Sequence, residues 1–256
     1  TATATQVVVV NDTEAPTITA PAAVAVSTDA GLCTASTVLL GTAIFSDNCP
    51  GATVTNNAPA LFAKGSTTVT YTVTDASGNT ATATQVVVVT DNEAPVIGTV
   101  SPLTANTDAG LCAATVSVTP PSVSDNCPSP TIVGVRSDAL VLSALYPKGV
   151  TTITWTATDA SGNPATVSQT VTVTDIEAPT ITAPVAVTVS TDAGQCTATG
   201  VALGTPTTVD NCAVALVSSN APTSFPKGST TVTWTVTDNS GNTATATQVV
   251  VVNDTE

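Results

Sequence analysis

The frame Asp-x-Glu occurs at Asp12 and Glu14, at Asp91 and Glu93, at Asp175 and Glu177, and again at Asp254 and Glu256. Between successive copies stand Asp-Ala-Gly (from Asp29, Asp108 and Asp192), Asp-Asn-Cys (from Asp47, Asp125 and Asp210) and Asp-x-Ser-Gly-Asn (from Asp75, Asp159 and Asp238). Of the 18 acids only Asp138 falls outside these motifs. Solvating a surface requires no such regularity. Carboxylates and amide oxygens at fixed spacing are hard donors, and several of them around one point is calcium chemistry. The competing reading is plain turn formation, since Asp, Asn and Gly are standard turn residues. The formal charge of −14, with four Lys and Arg, excludes non-specific nucleic-acid binding, which needs basic patches.

The other residues with chemistry are six cysteines: Cys33, Cys49, Cys112, Cys127, Cys196 and Cys212. An even count in fixed phase argues for disulfides and an oxidising, extracellular setting. Paired within a repeat (Cys33 with Cys49, Cys112 with Cys127, Cys196 with Cys212), each bridge would close a loop of about 15 residues and contribute about 3 kcal/mol. Zinc is disfavoured, because the chain has no histidine and no Cys-x-x-Cys. Without histidine no Ser-His or Cys-His pair exists, so no enzyme is expected. Lys64, Lys148 and Lys227 recur before glycine and could form isopeptide bonds, but read better as exposed cations on turns.

These motifs are carried by a repeat. Residues 1–14 and 243–256 are identical, TATATQVVVVNDTE, and Glu14, Glu93, Glu177 and Glu256 are separated by steps of 79, 84 and 79 residues. About 80 residues suits a small domain. The expected organisation is a terminal strand of a preceding repeat (1–14) followed by domains 15–93, 94–177 and 178–256. Stiff joints such as Asp91-Asn-Glu-Ala-Pro95 favour a rod over loosely strung beads.

The composition, rich in Thr, Val and Ala with 3% aromatics, favours strands. Alternation puts Val69, Tyr71 and Val73 on one face and the intervening threonines on the other. The first repeat is expected to hold seven strands at about 16–27, 33–40, 43–46, 53–56, 61–63, 67–74 and 80–89. Many short strands with frequent turns read as an all-β, immunoglobulin-like β-sandwich. Tyr71, Trp155 and Trp234 share one strand position and should anchor the cores.

Strands of alternating direction put the Asp75–Asn79 turn at the leading end of a sandwich, and the turns at Asp29 and at Asp47–Asn48 at its trailing end. Stacking two sandwiches then gathers Asp29, Asp47, Asn48, Asp91, Glu93, Asp159 and Asn163 at one junction. The next would gather Asp108, Asp125, Asn126, Asp175, Glu177, Asp238 and Asn242, while Asp12 and Glu14 face Asp75 and Asn79.

The combined pattern resembles the hyalin repeat (HYR) family. It rests on Asp12-Thr-Glu-Ala-Pro16, Asp47-Asn-Cys49, Phe225-Pro-Lys-Gly228 and Thr231-Val-Thr-Trp-Thr-Val-Thr-Asp-Asn-Ser-Gly-Asn242. The resemblance implies an extracellular, immunoglobulin-like module associated with adhesion, found in tandem in large bacterial cell-surface proteins, adhesins of gliding bacteria among them. The family's further cysteine pair is replaced by Ala20 and Ala83, Ser101 and Val167, and Ala183 and Ala246.

The expected function is a structural stalk segment, stiffened by disulfides and by calcium at its joints. The alternatives are direct carbohydrate or protein binding, for which the extra residues Arg136–Leu145 of the second repeat are the candidate surface, or a self-associating filament subunit. Expected partners are neighbouring repeats of the same chain, other copies of the filament, or surface glycans. No apolar run reaches the roughly 20 residues of a membrane span.

Overall fold

Alternating Thr and Val dominate the first repeat, and its eight strands follow from that pattern: β1 (Thr17–Thr19), β2 (Val24–Ser27), β3 (Thr34–Ala35), β4 (Ile44–Ser46), β5 (Thr53–Asn56), β6 (Phe62–Ala63), β7 (Gly65–Thr74) and β8 (Thr80–Thr90). The computed structural model describes residues 1–255; Glu256 lies outside the described residues. The long hairpin β7–β8 pairs from Gly65↔Val89 to Thr74↔Thr80. Strand β2 lies parallel to β8 and β5 antiparallel to β7, giving a sheet ordered β2-β8-β7-β5. The pairs β1–β4 and β3–β6 close the opposite face over Ala35, Phe62, Val69, Tyr71, Val87 and Val89. The result is an all-β, immunoglobulin-like sandwich. Among the described residues no helix is long and apolar enough to cross a membrane.

The third repeat copies this plan, its sheet running Val187–Ser190, Thr243–Asn253, Gly228–Asp238 and Val214–Ser219 in spatial order. In the middle repeat Leu103–Asn106 lies parallel to Val171–Thr174, Ala113–Ala114 pairs with Tyr146–Pro147, and Val96–Ile97 pairs with Val123–Ser124. The chain groups into two compact units, each described by itself. One comprises Thr1–Gly98, Pro121–Val133 and Thr156–Thr166; the other comprises Thr99–Pro120, Gly134–Trp155 and the chain from Val167 onward.

Two expected strands are not continuous. The stretch 16–27 divides at Pro21, which has no N–H for a ladder, so β1 and β2 join different sheets. Of 33–40 only β3 is a strand. The chain bends at Gly41 (φ 83°), where an added Cβ would stand 3.3 Å from Pro21. Residues 34–46 therefore cross the sandwich once, not twice, and this reverses the end at which Asp47 emerges.

The shared aromatic position does anchor each core, through a buried glutamine. The Tyr71 hydroxyl donates to Gln85 Oε1 at 2.8 Å, and Gln85 Nε2 donates to the carbonyls of Ala22 and Leu40 at 2.6 and 2.8 Å. Trp155 and Trp234 donate from Nε1 to Gln169 and Gln248 at 3.0 and 3.1 Å. Every polar atom of this plug that could be stranded is answered, so it ties the layers together without the cost of an orphan.

The extra loop of the second repeat folds around Arg136, which is 2% exposed. Its guanidinium donates to the carbonyls of Val141, Ala144 and Leu145 and lies 3.7 Å over the Tyr146 ring. Nearby, Gly134 makes room for Trp155: an added Cβ would fall 2.6 Å from Trp155 Cζ3. Gly134→Ala is expected to lower stability by about 1–3 kcal/mol, the range for overpacking, measured as an earlier urea or thermal transition.

Candidate functional site

The motif acids converge where one repeat meets the next. In the first unit Asp91 ends the β8 extension and is 2% exposed. Its Oδ1 accepts the N–H of Glu93 and the Asn126 amide, both at 3.2 Å. Its Oδ2 accepts the Ser161 hydroxyl at 3.2 Å and lies 3.8 Å from Lys64 Nζ. Asn163 Nδ2 donates to the carbonyls of Asp91 and Glu93 at 3.0 and 3.2 Å. Glu93 reaches back: its Oε2 accepts the Gly31 N–H at 2.9 Å, in a turn where Gly31 holds φ 72°. The joint is thus gripped from both sides.

The second unit reproduces the arrangement. Asp175, 3% exposed, accepts from Glu177 N–H (3.1 Å), the Asn211 amide (3.3 Å) and the Ser240 hydroxyl (2.7 Å). Lys148 Nζ stands 3.9 Å from it, and Glu177 Oε2 accepts Gly110 N–H at 2.8 Å. The recurrent lysines are therefore not simply exposed turn cations, since each leans on a joint aspartate. Lys227 does the same to Asp254 at 2.8 Å.

The Asp-x-Ser-Gly-Asn turns are self-contained acceptors. Asp159 Oδ1 takes the N–H groups of Ser161 and Asn163 at 2.8 Å, and Oδ2 takes Asn163 Nδ2 at 2.7 Å. Asp75 and Asp238 repeat the pattern with Asn79 and Asn242. Burial opposes ionisation of all three. The asparagine amide and the turn N–H groups outweigh it and hold the carboxyls below their usual range. Asp175 is likewise held low: burial opposes it, but the Ser240 hydroxyl and Glu177 N–H prevail.

Three acid groups bring their ligand atoms within 4.8 Å of one another: Asp12, Asp47 and Asp75; Asp91, Asp125 and Cys127; Asp175, Asp210 and Asp238. Among the described residues, the buried side-chain oxygens left without a hydrogen-bond partner are Asp12 Oδ2, Asp47 Oδ1, Asp125 Oδ1, Asn126 Oδ1, Asp210 Oδ1 and Asn211 Oδ1. All six belong to these clusters or to the adjacent asparagine. Oxygens buried side by side without donors are an arrangement that a hard cation satisfies.

Three expectations are corrected by this geometry. Asp47 and Asn48 sit at the leading end, with Asp12 and Asp75, and not at the junction with Asp91. Asp125 and Asn126 accordingly belong to the junction of Asp91, and Asp210 and Asn211, absent from the expected set, serve the junction of Asp175. The single crossing of residues 34–46 is the reason. Asp29 and Asp108 do not enter the clusters, because their carboxylates accept the N–H groups of Ser36 and Thr115 at 2.8 and 3.0 Å within their own turns. Finally, no bridge lies within a repeat. Cys33 bonds to Cys127 and Cys112 to Cys212, while Cys49 and Cys196 are free and exposed. Cys127 and Cys212 follow the leading-end Asp-Asn, and Cys33 and Cys112 follow the trailing-end turn, so each pair meets across a joint. The common phase of the motif and its cysteine was the one sequence signal that tied them together.

The HYR domain profile matches residues 11–89 and 174–252. Hyalin of Lytechinus variegatus is 34% identical over 115 residues, covering 43% of this chain and 21% of hyalin, so the chain spans about a fifth of that relative. Among solved structures, mouse cadherin-23 EC22–24 aligns with TM-score 0.41 at 15% identity, over 94% of this chain and 99% of that one. Sidekick-1 immunoglobulin domains 1–5 align with TM-score 0.36 at 13% identity, over 93% and 59%.

Two outcomes follow from the joints. Non-reducing peptide mapping is expected to recover Cys33 linked to Cys127 and Cys112 linked to Cys212, with no Cys33–Cys49 peptide. Carboxyls held low in the fold stabilise it above the unfolded aspartate value of about 3.9, and that stability drains as pH falls through their lower folded values. Acid titration followed by circular dichroism should therefore show loss of structure below about pH 4, and Asp159→Asn should blunt that acid dependence while lowering stability at neutral pH.

Proposed function

The chain belongs to the HYR domain family, and we propose that it is a structural spacer of an extracellular, cell-surface repeat protein, built from domains 15–93, 94–177 and 178–256 whose joints are locked by disulfides and by calcium. The observation that carries this reading is the coincidence, at one joint, of an inter-repeat disulfide, a buried joint aspartate and oxygens buried without donors. The disulfide makes the joint covalent, and the cation neutralises what the disulfide holds together. Asp91, Asp125, Asn126 and Asp159 would hold the ion at one joint, and Asp175, Asp210, Asn211 and Asp238 at the next. Asp12, Asp47, Asn48 and Asp75 form the equivalent set at the start of the first domain. At the Asp91 and Asp175 joints the nearby ammonium, of Lys64 and of Lys148, offsets only part of the cluster's charge. The role is mechanical, not catalytic: it is to keep successive domains aligned in a rod and so to project a distal partner-binding part. The bacterial surface enters this proposal through the family resemblance of the tandem arrangement.

A second reading, direct binding by these domains, is favoured by one observation. The loop ordered by Arg136 presents Leu140 and Val141 at 51% and 70% exposure.

Calcium at about 100 times its dissociation constant should stabilise a binding unit by about 2.7 kcal/mol per site. Calorimetric melts in calcium are expected to lie several degrees above those in EGTA, and Asp125→Asn with Asp210→Asn should shrink the difference. Superimposed melts, with no heat on calcium titration, would remove the cation from the proposal and leave the disulfide spacer standing.

A further inference from the structure

A buried guanidinium is costly unless its donors are answered. Arg136 is answered by Asp138 and by the carbonyls of Val141, Ala144 and Leu145, so residues 138–145 are held in one shape. The Tyr146 hydroxyl adds a bond to the Leu142 carbonyl at 3.1 Å. The loop fixed in this way leaves Leu140 and Val141 exposed. Its Leu142 and Ser143 form one wall of an open cleft of about 340 Å³, and Thr115–Val118 form the other.

That second wall is a strand without a ladder. It continues Ala113–Ala114, and its burial alternates: Val116 and Val118 are half-buried, while Thr115, Ser117 and Thr119 are exposed. Among the described residues, the N–H and C=O groups of residues 116–119 take no backbone partner. Pro120 and Pro121, which have no N–H, end the run. In the first and third repeats the same stretch is claimed from within, where Gln85 and Gln248 donate to the carbonyls of Leu40 and Leu203 at 2.8 Å. Gln169 donates to the Ser101 carbonyl at 2.9 Å and, among the described residues, to no carbonyl of 115–119. The middle repeat thus combines a free wall with a fixed loop facing it.

We propose that this cleft binds an extended peptide segment of a partner protein as an added strand. The segment pairs with the backbone of residues 115–119 and lays apolar side chains on Leu140, Val141 and Leu142. This deepens the second reading, direct binding, and rests on it; it does not rest on calcium. The walls select the occupant. Unpaired donors and acceptors along an extended run are answered by another extended backbone. A lining of Thr, Val, Ser and Leu gives a sugar neither an aromatic face nor a carboxylate. The net charge of −14 draws a segment flanked by Lys or Arg and repels an acidic one. A loop already held by Arg136 loses little freedom when the segment arrives.

The test titrates the whole isotope-labelled chain, followed by NMR, with a synthetic heptapeptide of alternating valine and threonine between two lysines. Shifts are expected at residues 115–119 and 140–143. Alternate amides among residues 116–119 should gain at least tenfold protection from hydrogen exchange. The same peptide N-methylated at its central amides should bind at least tenfold more weakly, and a version flanked by glutamates severalfold more weakly. Val141→Asp, at a side chain 70% exposed that the fold does not bury, should weaken binding at least fivefold. Equal binding of the N-methylated peptide, shifts away from the cleft, or no shifts at millimolar peptide would overturn the added strand. Shifts at 140–143 from a soluble chito-oligosaccharide with none from the peptide would also overturn it, while leaving direct binding by the loop in place.

Discussion

A carboxylate buried at the seam between two sandwiches is satisfied only in part by the repeat that carries it, through Glu93 N–H for Asp91 and through Glu177 N–H and the Thr107 hydroxyl for Asp175. Asp91 and Asp175 are 2% and 3% exposed, and removing such a group from water costs several kcal/mol unless donors replace the water. Donors to the carboxylate stand on the following repeat: Asn126 and Ser161 for Asp91, and Asn211 and Ser240 for Asp175, while Asn163 and Asn242 donate to the backbone carbonyls of the same two aspartates. Burial of one residue therefore obliges its neighbour to dock. Glu93 and Glu177 pull the opposite way, onto the preceding turn. A joint five residues long is held by this pair of opposed contacts more than by any property of the linking chain.

The identical terminal segments show how little of this is local. Thr243–Asn253 is a strand with Val250 and Val252 at 0% and 1% exposure, whereas the same residues at the start of the chain form no strand and leave Val7–Val10 between 74% and 89% exposed. Propensity is the same in both places. What differs is the presence of Val187–Ser190 on one side and Gly228–Asp238 on the other. Strand preference here is a readiness to fit a half-buried, pleated surface, and without that surface it has no effect.

The same distinction governs what could be read from the sequence. Strands β7 and β8 were legible to within about two residues, because their alternation is long and each is buried on one face only. The aromatic anchors were legible for the same reason, but their glutamine partners were not, since a buried Gln carries no pattern of its own. Strand β3 was overestimated. Residues 33–40 are apolar enough to read as a strand, but Val38 and Leu40 pack on the core without a ladder partner, and Gly41 turns the chain early. That one miscounted crossing moved Asp47 and Asn48 to the wrong end and concealed Asp210 and Asn211. It also made the bridge within a repeat look natural. Long-range pairing of cysteines depends on the parity of strand crossings, which composition and spacing do not report.

Parity also explains why the bridge and the acid cluster coincide. Cys127 and Cys212 directly follow the Asp-Asn whose oxygens lack donors, so the disulfide fixes the backbone that presents those oxygens. Two like charges within 4.8 Å of each other, as Asp175 and Asp210 bring theirs, repel by about 3.5 kcal/mol or more at an effective dielectric of about 20. Solvent and Lys148 screen part of it. A disulfide closing a loop of about 100 residues contributes about 4.7 kcal/mol, and the two bridges span 94 and 100 residues. The covalent term is thus of the same size as the repulsion it must contain. A bridge inside one repeat would have closed a shorter loop, gained less and left the joint to spring apart. Placing each repeat's two cysteines at opposite ends makes the bond available where the charge is concentrated. It also makes the stability of a joint a property of two repeats jointly and of neither alone.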